Sequence, residues 1–231
     1  MLETISIRHI HPSDEEATEM ARIQLKSFAG QNIRLLFFPK GKESEHEEFA
    51  YRKGQIFRGA NDPEKNWIVA ISESKSSDGT HHETIIGYCL WIMPLAPGQG
   101  TRDEEKARDR QLAMSYSPDS MDKEYNDKIV AEQEMLLKRL MGQNPGDYWN
   151  LGALCVDPKH QRKGAAAMMV RWGLERAETQ GKGAVVGSTP VARHFYEAMG
   201  FRAEGELSLG HETHFGMRIP PPPTSREQAL A

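Results

Sequence analysis

The stretch from residue 154 to 167, Leu-Cys-Val-Asp-Pro-Lys-His-Gln-Arg-Lys-Gly-Ala-Ala-Ala, restricts the fold more than any other part of the chain. An apolar run from 148 to 156 predicts a strand that stops at the turn pair Asp157-Pro158. Residues 163–180 then predict a helix, 184–188 a strand, 190–199 a second helix, and 201–207 and 214–219 two short strands. The order is β-α-β-α-β-β. At the first junction a strand runs through a basic turn (Lys159, Arg162, Lys163) into a helix that opens on Gly164, Ala165, Ala166 and Ala167. The first turn of a helix carries unpaired N–H groups and a partial positive charge, so it can cradle phosphate oxygens with main chain alone. Small side chains let a ligand approach, and the three cations add charge beside the donors. A diphosphate suits this chemistry. Local physics leaves a second reading open, in which the alanines are ordinary helix formers and the basic residues are simply solvated.

The first half predicts a half-buried strand at 5–10, stopped by Pro12, and a helix capped by Ser13 or Asp14 with Ala17, Met20, Ala21, Gln24 and Phe28 along one side and Gly30 as terminator. An irregular helical stretch at 44–57 and strands at 67–71 and 84–92 follow, the last two joined by a polar loop that contains His81 and His82. Residues 94–146 are longer than an ordinary connection and require structure of their own. Within them Tyr125, Ile129, Leu136, Leu137 and Leu140 recur at helical spacing over 122–141, with Gly142 as stop, a stripe that suits a face packed on the domain. The expected fold is therefore α/β (α+β): a mixed sheet flanked by helices in one domain over 1–219, with a helical insertion at about 94–146 before the central strand. Pro220 to Pro223 open a polar tail, 220–231, expected to be disordered.

A second junction, Gly-Ser-Thr-Pro-Val-Ala-Arg-His-Phe-Tyr-Glu-Ala-Met-Gly-Phe at 187–201, has a local logic: Thr189 as N-cap, Pro190 in the first turn, Ala192, Phe195, Tyr196 and Met199 on one face, and Gly200 as stop. On that logic alone Tyr196 is a core tyrosine with a satisfied hydroxyl. Neither junction is a Walker loop or a Rossmann fingerprint, because the glycines those motifs need are missing.

Together the junctions resemble the GNAT superfamily of N-acetyltransferases. Leu154-x-Val156-x-Pro158-x-x-Gln161-Arg162-x-Gly164-x-Ala166 is similar to its coenzyme A pyrophosphate loop, and Ala192-x-x-Phe195-Tyr196-x-x-x-Gly200-Phe201 to its second landmark. The resemblance is specific over 148–201 and topological over 1–93. It implies a mostly antiparallel GNAT-like sheet, acetyl-CoA as co-substrate and no metal. It also implies coenzyme contacts from Leu154, Cys155, Val156, Gln161, Arg162, Lys163, Gly164, Ala165, Ala166, Ser188, Ala192 and Phe195. Tyr196 is implied near the coenzyme sulfur, where its phenol protonates the departing thiolate as an amine attacks the thioester directly. Strand 148–156 carries no Glu where some members place a general base, so the base is unassigned. Three alternatives stay open: a non-catalytic acyl-CoA-binding module, transfer to protein amines, and a longer acyl donor or hydroxyl acceptor.

Composition narrows the partners. Lys and Arg number 29 against 33 Asp and Glu, a net charge of −4 that offers no basic field to nucleic acid or an anionic membrane. No apolar run approaches the ~20 residues of a membrane span, and both cysteines, Cys89 and Cys155, lie in apolar runs, which suits free thiols in the cytoplasm. The expected partner is a small-molecule amine, with the protein a monomer or homodimer. His211-Glu-Thr-His214 lacks the spacing and the further ligands of a zinc site. Arg193 and His194 are candidates for the coenzyme 3′-phosphate or plain solvated residues.

Overall fold

The computed structural model describes residues 4–75, 80–94 and 116–223. Part of the expected insertion, 95–115, and the end of the tail, 224–231, lie outside the described residues. Seven strands form one sheet: β1 (Thr4–Ile10), β2 (Lys65–Lys75), β3 (His81–Ile92), β4 (Tyr148–Val156), β5 (Gly183–Ser188), β6 (Arg202–Leu209) and β7 (Glu212–Ile219). Their order is β1-β2-β3-β4-β5-β7-β6. Every pairing is antiparallel except β4 with β5, the pair joined through a helix. Among the described residues six α-helices flank the sheet: α1 (Asp14–Phe28), α2 (Asn32–Phe37), α3 (Glu45–Arg58), α4 (Lys123–Met141), α5 (Ala165–Thr179) and α6 (Arg193–Ala198). Among the described residues no helix is long and apolar enough to cross a membrane.

Alternation along the strands sorts the helices onto two faces. Val69, Tyr88 and Cys155 share a cluster with Ala17, Met20 and Ala21 of α1, and Val185 and Tyr148 meet Leu140 of α4. On the other face Ile68, Trp91, Trp149 and Met217 pack with Met169 and Val170 of α5 and with Tyr196. Residues 165, 169, 173 and 177 of α5 recur every four and are all buried, the seam by which that helix lies on the sheet. Gly173 makes the approach close enough that a Cβ there would lie 2.1 Å from the Trp91 indole. The Trp91 Nε1 donates to the Met169 carbonyl at 3.2 Å, fixing the helix along its axis.

Ser13 caps α1 in a reciprocal box with Glu16, and Gly142 at φ 64° ends α4, as the sequence indicates. Four expectations are corrected. Gly30 is not the terminator of α1, whose C-cap is Ala29 in a right-handed conformation. His81 and His82 belong to β3, opposite Lys75 and Ser74, because the hairpin's pairing runs past the polar residues that suggested a loop. The helix expected at 190–199 is a 3-10 turn, Pro190–Ala192, followed by the short α6, and the Thr189 side chain makes no cap bond. The helix expected at 163–180 is α5, shorter at its start because Arg162 and Gly164 have positive φ.

Candidate functional site

β4 and β5 pair only from Tyr148↔Gly183 to Leu151↔Val186. Beyond that point β4 continues against β3 through Ala153, Leu154, Cys155 and Val156, while β5 continues against β7 through Gly187 and Ser188. The cause lies on β4: the register against β3 passes from Trp91↔Leu151 to Leu90↔Ala153, so Gly152 is the extra residue of a bulge. A bulge bends its strand, and here it bends β4 away from β5. The carboxyl halves of two parallel strands thus part, leaving main-chain groups along each inner edge without a strand partner across the gap. Gly187, on the β5 side, is exposed and has nothing within 4 Å of where a Cβ would sit.

The end of β4 leads into the basic turn. The Val156 carbonyl accepts from Ser27 Oγ at 2.9 Å and from Gln161 Nε2 at 3.2 Å. Asp157 accepts from Lys26 Nζ at 2.8 Å and from the Lys159 amide at 3.0 Å, and its own amide donates to the Ile86 carbonyl. Burial works against charge on Asp157, but the Lys26 and Lys159 hydrogen bonds outweigh it and hold its carboxyl below the usual range. The turn is therefore pinned from α1 by Lys26 and Ser27, two residues that carry no local signal of this role because they lie about 130 positions away.

α5 begins without a side-chain cap, and its N-cap, Gly164, stands at φ 92°. Replacing a capping side chain normally costs ~1 kcal/mol. The helix start is held instead by packing: Ala165 is buried, and Met169 and Val170 are each worth about 1.5–3 kcal/mol for full burial. Its first-turn N–H groups are thus left to face the exposed turn formed by Gln161, Arg162, Lys163 and Gly164. Arg162 has φ 63°, a conformation that costs a non-glycine residue on the order of 1 kcal/mol and that concentrates at functional turns.

Of the other site residues, Leu154 and Ala166 are half-buried against the α5-side core and Val156 belongs to it. The Cys155 thiol points to the opposite face, beside Tyr88, and its carbonyl lies toward Gly87 of β3, so within this stretch the main chain turned to the gap is that of Leu154 and Val156. Burial pushes its thiol up to about 12. Ser188 is buried, and its hydroxyl donates to the Thr189 carbonyl at 2.8 Å. Ala192 and Phe195 are half-buried on the α5 side beside Tyr196, which is 5% exposed and lies edge-on to Phe195 and Phe201. Burial raises the Tyr196 phenol well above its ordinary value, with the Cys155 and Cys89 thiols adding to the effect, so it remains a donor at neutral pH. Arg193 and His194 both engage Glu197, at 2.8 and 3.0 Å, and Arg193 also lies over Phe215. His214 is buried near Glu212, and among the described residues no group of three or more His, Cys, Asp or Glu side chains is placed to hold a metal ion.

The arrangement joins a gap in the sheet, an exposed cationic helix start and a buried phenol. Residues 124–203 match the family model described as "Acetyltransferase (GNAT) domain". No curated protein matches the sequence. Among solved structures, a Corynebacterium glutamicum protein described as histone acetyltransferase HPA2 and related acetyltransferase superposes with a TM-score of 0.58 at 15% identity, covering 97% of this chain and 99% of that one. A PaiA N-acetyltransferase from Thermoplasma acidophilum, solved with coenzyme A, gives a TM-score of 0.52 at 13% identity, covering 94% and 99%. At such identities the likeness speaks for the fold, a mostly antiparallel sheet between helices as the sequence resemblance implies.

Proposed function

We propose that this chain, which carries a GNAT acetyltransferase domain on the fold of that family, transfers an acetyl group from acetyl-CoA to a primary amine of a small molecule. The single domain of this activity spans residues 1–219. The observation that carries the reading is the divergence of β4 from β5 beside the uncapped start of α5. A long, thin, anionic donor meets two complementary surfaces there. The amides of Ala165 and Ala166 and the side chains of Gln161, Arg162 and Lys163 receive its diphosphate, and Gly164 leaves the approach clear. On the open edge of β4 the Leu154 main chain and the Val156 amide offer strand-like hydrogen bonds to the amide-bearing pantetheine arm, with Cys155 between them holding the strand to β3. Ser188, Ala192 and Phe195 line the far side.

The reaction is a direct attack in a ternary complex. A neutral amine adds to the thioester carbonyl, amides near Val156 polarise the carbonyl oxygen, and the C–S bond breaks. Tyr196 gives its proton to the departing thiolate, a role for which a phenol kept protonated by burial is suited. The test is thiol release from acetyl-CoA across a panel of small amines, amino acids, polyamines and peptide N-termini, with coenzyme affinity measured in parallel. Turnover on a small amine, lost in Tyr196→Phe with affinity retained, is expected. Tight coenzyme binding with no turnover on any amine would point to a binding module, and turnover on peptides alone to a protein acceptor.

A further inference from the structure

The gap between β4 and β5 lies between the two faces of the sheet, and Tyr196 stands on the α5 side. The α2–α4 side has a titratable group of its own. Ser188, the last residue of β5, pairs with Phe215 of β7. Phe215 shares the Tyr196 cluster, so strand alternation turns the next residue out, His214, to the opposite face. Gly216 marks that face, since a Cβ on it would meet Leu136 and Leu140 of α4. His214 therefore stands one position past the carboxyl end of β5, at the mouth of the gap, on the side away from the donor loop.

The imidazole is 5% exposed, and its Nε2 is buried without a hydrogen-bond partner. A buried ring nitrogen left without a partner is unfavourable and is expected to find one when a ligand arrives. Glu212 Oε2 lies 3.6 Å from that nitrogen, and Glu212 Oε1 accepts from Asn32 Nδ2 at 2.9 Å, which ties the carboxylate to the start of α2. Other ionisable groups described on this face are committed: Arg218, on the same face of β7, pairs with Glu204 at 2.7 Å and donates to the Leu140 carbonyl at 2.9 Å. Glu48, fully buried, is held by Arg34 at 2.7 Å and by Arg52 at 2.8 Å, and Arg34 also reaches Glu45. The Cys155 thiol is paired with Tyr88 in the core. His211, in the β6–β7 turn, is exposed.

We propose that His214 is the base that deprotonates the acceptor ammonium, with Glu212 positioning its ring and the amine entering from the α2–α4 face. The proposal rests on the acetyl transfer put forward above. The ammonium gives one proton to His214, which passes it to water. The freed lone pair forms the N–C bond as C–S breaks, the thiolate takes the Tyr196 proton, and the second amine proton replaces it. Three protons on the amine become one on the amide, with one on the thiol and one in solution.

The test compares His214→Gln and Glu212→Gln with the unaltered protein for acetyl-CoA affinity, Tm, kcat, KM and the pH profile of kcat/KM. For His214→Gln the expectation is unchanged coenzyme affinity, a kcat lower by ~10²-fold or more, and loss of the acid limb of the profile. Removing the Glu212 charge should move that limb to lower pH, since a neighbouring carboxylate favours the imidazolium. Unaltered kcat and limb in His214→Gln overturn the assignment and leave the acetyl-transfer reading standing. If His214→Gln fails to fold, an unmoved limb in Glu212→Gln overturns it. An unaltered protein that binds acetyl-CoA and acetylates no amine overturns both.

Discussion

Gly164 offers the sharpest separation of fold from binding. It stands at φ 92°, yet nothing lies within 4 Å of where its Cβ would be, so a side chain there meets open space and a disfavoured backbone. The backbone term is common to every L residue and is about 1–2 kcal/mol. Gly164→Ala should therefore lower Tm by roughly 2–8 °C in a domain of this size, with a limited effect on coenzyme affinity. Gly164→Glu adds a carboxylate beside the proposed diphosphate. At ~5 Å two like charges repel by about 0.8 kcal/mol in bulk water and about 3 kcal/mol at an effective dielectric constant of 20. For two phosphate charges even the lower figure sums to about 1.6 kcal/mol, more than tenfold in Kd. The assay is calorimetric or fluorescence titration with acetyl-CoA, alongside thermal melts of both variants. The Glu variant should bind at least tenfold more weakly than the Ala variant at similar Tm, and increasing salt should narrow the difference. Equal affinity in the two variants refutes the placement of the diphosphate.

Three other expectations follow from the packing. Gly173→Ala drives a methyl to 2.1 Å from the Trp91 indole and should cost about 1–3 kcal/mol, read as a lower urea midpoint with altered tryptophan fluorescence; an unchanged midpoint refutes the close contact. Glu48→Gln leaves the guanidinium groups of Arg34 and Arg52 without their shared carboxylate and should destabilise by about 3–5 kcal/mol, whereas a loss within 0.5 kcal/mol, roughly the effect of a surface change, refutes its role as a buried ion-pair centre. Burial raises the thiols of Cys89 and Cys155, the latter to about 12, so both stay protonated at pH 8 and a thiol reagent should label them only as fast as the protein opens. Immediate labelling of the folded protein refutes that burial.

What the sequence determined by itself is what a few neighbouring residues can encode. The capping box at Ser13 and Glu16, the stripe of α4 and the positive-φ stops at Gly142 and Gly200 all rest on interactions spanning four residues or fewer. The two junctions were legible for the same reason, since a turn, a helix start and small side chains are local features. Where several weak local signals competed, as at His81 and His82 or along 190–199, strand pairing and packing decided. Tertiary structure alone set the divergence of β4 from β5, because a bulge at Gly152 is defined only against the partner register on β3. It alone brought Lys26 and Ser27 to the turn after β4 and Arg34 to Glu48, since a charge pair between distant segments leaves no pattern along the chain. It also divided Tyr196 and His214 between the two faces of the sheet, a division that depends on the register of β7 against β5 and on which helices cover each side.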